Sequence, residues 1–166
     1  VYTDDVTTNG YLIGGGKILI EMDVQIPTLS DGTNTFRWFG GFSTSNSAPS
    51  VTSIAFLYDA SGTSGGSAAT PNWQVVCANA SVRSYTTTAI AVTAGQWYRL
   101  KLIVNAAGTS VDFYIDGTLV KTETTNIPST ATQLPLACIA VKTAGTTERN
   151  VWVDFFRIKQ KFTNQR

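Results

Sequence analysis

Glu21, Asp23 and Gln25 alternate along Glu21-Met22-Asp23-Val24-Gln25, and an extended chain carries alternate side chains on one face. Carboxylates spaced this way can divide the nucleophile and acid/base roles of glycoside hydrolysis. That chemistry needs an ionisable group at both outer positions. The second of them is an amide, which neither protonates a leaving group nor deprotonates water. The three residues therefore read as the polar side of a wetted strand, and no catalytic residue is assigned.

Histidine is absent, which removes Ser-His-Asp and Cys-His catalysis and the commonest zinc and copper sites. Cys77 and Cys138 are too few for a disulfide framework or a structural zinc site. Both lie in apolar strand-like runs, where free buried thiols and one cross-sheet disulfide both fit. Asp31-Gly32-Thr33-Asn34 is the compact candidate for calcium and equally an ordinary turn, and Asp4-Asp5 has the same two readings. The turn is the expected state, with no metal and no cofactor. Twelve basic and eleven acidic side chains give a net charge of +1, so nothing electrostatic favours a nucleic acid partner. No apolar run reaches the roughly 18 residues of a membrane helix.

Aromatic side chains are what remains. Glycan recognition sets an aromatic face against the C–H face of a sugar, while amides or guanidinium groups read hydroxyls. Trp73, between Asn72 and Gln74 and beside the long Ser/Gly-rich segment 60–72, fits best as a ligand platform, with core packing as its equal alternative. Tyr58, Arg37, Arg83 and Tyr85 are the further candidates. Trp97 and Phe113 are expected in the core, and Trp38 and Trp152 are left undecided.

The elements that must hold these residues are strands. Alternation marks strands over Lys17–Ile26, Ile54–Asp59, Trp97–Val104 and Val111–Ile115, and Val151–Ile158 reads as the last strong strand. Phe36–Phe42, Trp73–Ala78, Ser81–Val92, Leu119–Thr122 and Leu136–Lys142 complete the set. Gly40-Gly41 indicates a bulge or a close backbone approach, and Asp116-Gly117 a tight hairpin. No window has helical periodicity. Short strands with frequent Gly, Asn and Asp turns predict an all-β fold, an antiparallel two-sheet β-sandwich in one domain over residues 1–166. The first and last strong strands are expected to pair. A start at Val1 without a leader pattern suggests a piece processed from a longer protein.

Three segments resemble the concanavalin A-like lectin/glucanase jelly rolls. They are Gly95-Gln96-Trp97-Tyr98-Arg99-Leu100-Lys101-Leu102, Val111-Asp112-Phe113-Tyr114-Ile115-Asp116-Gly117 and Val153-Asp154-Phe155-Phe156-Arg157-Ile158, in the family's order. Glucanases of this fold carry Glu-x-Asp-x-Glu. Glu21 and Asp23 match its first two positions and Gln25 departs at the third, so the resemblance implies no hydrolytic set. The Thr/Ser-rich texture of Asn126–Ser129 and Lys142–Arg149 is similar to modules of bacteriophage tail and virion proteins. The resemblance thus implies a non-enzymatic virion surface or extracellular module, a tail fibre, spike or capsid decoration, that binds cell-surface glycan. Its other partners would be virion proteins and copies of itself, a trimer among the options. The alternatives are a purely structural capsid or fibre domain, and a polysaccharide hydrolase or lyase.

Overall fold

Ile18, Ile20, Met22 and Val24 alternate with Lys17, Leu19, Glu21 and Asp23, and the first four are fully buried. They form the inner face of a ten-residue strand in the computed structural model, which describes residues 10–46, 51–128 and 132–162. The same physics repeats along the chain: apolar side chains at every second position have one sheet face to hide on.

The strands are β1 (Tyr11–Leu12), β2 (Gly16–Gln25), β3 (Thr35–Ser43), β4 (Ser53–Asp59), β5 (Asn72–Asn79) and β6 (Val82–Ala91), followed by β7 (Trp97–Val104), β8 (Val111–Ile115), β9 (Thr118–Glu123), β10 (Gln133–Leu134), β11 (Leu136–Ala144) and β12 (Trp152–Phe162). One five-stranded sheet runs β11-β3-β4-β5-β6, the other β12-β2-β7-β8-β9, and β1 pairs with β10 in a small third sheet. Every pairing is antiparallel. The expected sandwich is therefore present, with the expected strands. β1 and β10 are additional, because two residues each carry no alternation to read. The expected pairing of first and last strong strands is the β2–β12 ladder.

Between the two large sheets lies the main core, whose large buried rings include Trp38, Trp73, Tyr58, Tyr98, Phe56 and Phe113. A second, smaller apolar cluster of Phe39, Ala55, Leu57, Val76 and Ala137 sits on the opposite face of the β3–β4–β5 region. β4 is consequently buried on both sides, where alternation alone predicts one wetted face. At the β8–β9 hairpin Asp116 has φ 50° and Gly117 φ 82°, the paired positive values that a two-residue turn between right-twisted strands demands.

Cys77 lies on β5 and Cys138 on β11, with β3 and β4 between them. Three strand spacings separate their backbones by roughly 14 Å, far beyond disulfide reach. The two thiols are free, and the cross-sheet bridge considered from sequence does not form.

Candidate functional site

The seven residues proposed from sequence fall on the β11-β3-β4-β5-β6 sheet, but they face inward or are spent on the chain itself. Trp73 is fully buried, with its ring 5.5 Å from Tyr98 and 5.7 Å from Trp38, both edge-on. It is a core residue, and the ligand-platform reading is wrong. Tyr58 is also buried, its hydroxyl accepting the Ser30 amide proton at 3.0 Å. Asn72 donates through Nδ2 to the Thr88 carbonyl at 2.8 Å.

Gln74, Arg37, Arg83 and Tyr85 share the outer face of this sheet, and each holds the 60–71 loop against it. Gln74 is buried, donating to the Ala68 carbonyl and accepting from the Ala68 amide, both at 3.1 Å. Arg37 donates to the Thr63 carbonyl at 2.8 Å, Arg83 to the Gly65 carbonyl at 3.3 Å and Tyr85 to the Ser64 carbonyl at 2.5 Å. Burial pushes the Tyr85 phenol above its ordinary range, so it stays a donor. The buried Asp59 carboxylate accepts from the hydroxyls of Ser61, Thr63 and Ser67. A low-complexity stretch with no apolar anchor is thus ordered by polar side chains beneath it, which is why its sequence resembles a free loop. The groups chosen to read sugar hydroxyls read the loop's own carbonyls.

The Asp31 carboxylate accepts from the amides of Thr33 and Asn34 at 2.8 and 2.6 Å and from Arg149 at 2.6 Å. That is turn chemistry, and these bonds hold Asp31 below the usual carboxylate range. Asp4 and Asp5 lie outside the described residues.

Exposed aromatic surface is found on the other sheet. Register places Trp152 of β12 opposite Gln25 of β2, and Gln25 opposite Trp97 of β7. These three side chains therefore form one row across three strands, on the outer face. Trp97 is 43% and Trp152 54% exposed, whereas Gln25 lies low between them and donates to the Gly95 carbonyl at 2.6 Å. The expectation that Trp97 is core is overturned. It stands out of phase with the inward run Tyr98, Leu100, Leu102 and Val104, a signal already present in the alternation. Trp152 resolves as exposed and Trp38 as buried.

The next row is Phe155, Asp23 and Arg99. Arg99 grips Asp23 with two parallel bonds, Nε to Oδ1 at 2.8 Å and Nη2 to Oδ2 at 2.7 Å. Asp116 accepts the Arg99 amide proton through Oδ1 at 2.8 Å. Asp23, Trp97, Tyr98, Arg99 and Asp116 line a shallow recess of about 370 Å³ beside the tryptophan row. In the third row Glu21 pairs with Arg157. The Glu21, Asp23 and Gln25 set thus does share a face, as alternation requires. Its two carboxylates are each bound to a guanidinium, and the hydrogen bond from Arg99 holds Asp23 below its ordinary range. A carboxyl kept ionised in this way is unsuited to donate a proton near neutral pH.

These shifts carry a pH expectation. A carboxylate whose folded pKa is depressed adds stability above its unfolded pKa and loses it as pH falls through the folded value. Asp23 and Asp31 are such groups. So is Glu123, which burial pushes up but hydrogen bonds from Thr125 and the charge of Lys121 carry below its ordinary value. With no histidine in the chain, no side chain of ordinary pKa titrates between about pH 5 and 8. Melting temperature is expected to be flat over that interval and to fall only below about pH 4. A melt series from pH 2 to 8 measures it, and a transition centred near pH 6.5 would contradict it.

A family model described as SO2946-like, C-terminal domain, matches residues 2–154. No curated protein matches in sequence. Among solved structures, a Trypanosoma rangeli sialidase superposes with TM-score 0.51 at 16% identity, over 90% of this chain and 21% of its own. The chain thus spans about a fifth of that sialidase. Carbohydrate binding module CBM66 from Bacillus subtilis gives 0.51 at 12% identity, over 88% of this chain and 76% of its own. Alginate lyase A1-II′ of polysaccharide lyase family 7 gives 0.52 at 9% identity, over 93% and 66%. At these identities the likeness is one of fold, the concanavalin A-like sandwich.

Proposed function

The chain belongs to the SO2946-like, C-terminal domain family, and from that starting point we propose that it is a non-enzymatic glycan-binding module. The observation that carries this reading is the Trp152–Gln25–Trp97 row, two exposed indoles flanking an amide on an open sheet face. Large exposed apolar rings are costly in water unless a partner covers them, and a sugar's C–H face matches an indole. Arg99, Asp23 and Asp116 supply donors and acceptors beside the rings for hydroxyls. The three structural relatives above are named for binding or acting on carbohydrate, which fits the reading. Absence of catalysis rests on the amide at Gln25 and on the two guanidinium-bound carboxylates. A virion or extracellular setting rests on loop texture alone.

A glycan array probed with the wild-type chain, Trp97→Ala and Trp152→Ala tests the proposal. Wild type is expected to bind, and each variant to lose about tenfold or more in affinity while keeping its fold. Absence of binding across the array, or binding untouched by both substitutions, would overturn it. Sustained release of reducing ends from β-glucan or alginate, lost in Glu21→Gln, would restore a catalytic reading.

One observation favours a second reading, that of a domain making protein contacts. β12 is an eleven-residue edge strand in which Val153 and Phe156, on its inner side, remain 40% and 41% exposed, and Phe162 64%. Unpaired strand edges with apolar side chains invite another chain. Light scattering over a hundredfold concentration range is expected to give an oligomer under this reading. A monomer throughout would exclude self-association.

A further inference from the structure

From the charges and spacing around the tryptophan row, we infer that the ligand is an extended, uncharged polysaccharide lying across the strands, and that acidic glycans are rejected. This inference rests on the glycan-binding reading and specifies the sugar class.

Geometry sets the extension. Trp152 and Trp97 are separated by two strand spacings, about 10 Å of backbone, with the amide of Gln25 set low between them. A single sugar covers one ring. Only a chain of several sugars, running perpendicular to the strands, reaches both. The recess beside Trp97 is shallow and open, so it does not enclose a chain end.

Electrostatics sets the charge. A carboxylate on a sugar stacked over Trp97 would meet Asp23 and Asp116 in the recess wall. The one cation there, Arg99, already commits Nε and Nη2 to Asp23. The side-on Nε/Nη2 edge is therefore taken, and a uronate or sialate reaching for the remaining end-on edge would approach a recess lined by two carboxylates to one guanidinium. What remains for a ligand is the end-on Nη1/Nη2 edge as donor and Oδ2 of Asp116 as acceptor, a set suited to hydroxyls. The other cations on this face are placed away from the row. Arg157 is bound to Glu21, and Lys101 lies 4.2 Å from the Tyr114 ring centre. Lys159 and Lys161 stand toward the far end of β12, roughly 23 and 30 Å of strand from Trp152, with Lys17 opposite Lys161.

Titration calorimetry with a neutral β-glucan oligosaccharide series, alginate oligomers and sialyl-oligosaccharides, at low and at 0.3 M salt, tests the inference. Affinity is expected to rise at least about tenfold from mono- to tetrasaccharide in the neutral series, with little salt dependence. Trp152→Ala should flatten that length dependence. Asp116→Asn preserves the positive-φ turn, since Asn tolerates that region, and its Oδ1 still accepts from Arg99. It is expected to raise acidic-oligomer affinity several-fold. Equal or tighter binding of the alginate or sialylated ligands to wild type, or no gain with chain length, would overturn the inference while leaving glycan binding standing. Absence of binding to every ligand would overturn both.

Discussion

Trp73→Ala is expected to destabilise the protein by about 3–5 kcal/mol, close to the entire stability of many domains. The indole is fully buried and packs edge-on against Trp38, Tyr58 and Tyr98 at 5.5 to 6.5 Å. Alanine would leave a cavity between the sheets and remove three aromatic contacts, each worth about 0.5–1.5 kcal/mol beyond its area. Trp73→Phe is expected to cost much less. It keeps most of the ring and deletes an indole N–H that is buried without an acceptor among the described residues. Trp97→Ala, on the exposed face, should change stability by under about 1 kcal/mol. Urea unfolding followed by far-ultraviolet circular dichroism separates the three. A stable Trp73→Ala variant would mean that the sheets close over the gap or that the ring is not core.

Gly41→Val is expected to prevent folding, with even Gly41→Ala costing about 4 kcal/mol or more. Gly41 has φ +146°, and a Cβ there would lie 2.3 Å from the Ile54 carbonyl oxygen and 2.8 Å from Ala55 Cα. Both atoms are backbone of β4, a central strand laddered on each side. No side chain can rotate away to relieve the clash, and moving β4 breaks its pairing with β3 or β5. Gly32→Ala is the control, since nothing lies within 4 Å of its added carbon. Soluble yield and thermal melts compare them. A Gly41→Ala variant melting with wild type would contradict the close approach.

Alternation made much of this molecule legible. Ile18 through Val24 and Tyr98 through Val104 fix which side of β2 and β7 is buried, because a strand cannot hide both sets of side chains on one face. The same parity places Glu21, Asp23 and Gln25 together and puts Trp97 outside. Asp116-Gly117 marks its hairpin through the φ values it permits. Trp73 was different. Strand parity gives its face, Trp73 being in phase with Val75 and Cys77, but not whether that face meets solvent or a second sheet. Gln74, Arg37, Arg83 and Tyr85 likewise carry donors that serve a sugar or a carbonyl equally well. Only the return of the 60–71 loop over β3–β6 decides between them.

The sequence by itself determined an all-β sandwich, the absence of imidazole chemistry and a Glu-x-Asp strand lacking its second acid. These follow from residue type and period-two spacing, which are local properties. Which aromatic residues come together on one face was settled by tertiary structure alone. Trp152, Gln25 and Trp97 are 127 and 72 residues apart in the chain and become neighbours only through the β12–β2–β7 ladder. Sheet order and register are products of non-local pairing, and no local pattern of polarity specifies which strand lies beside which.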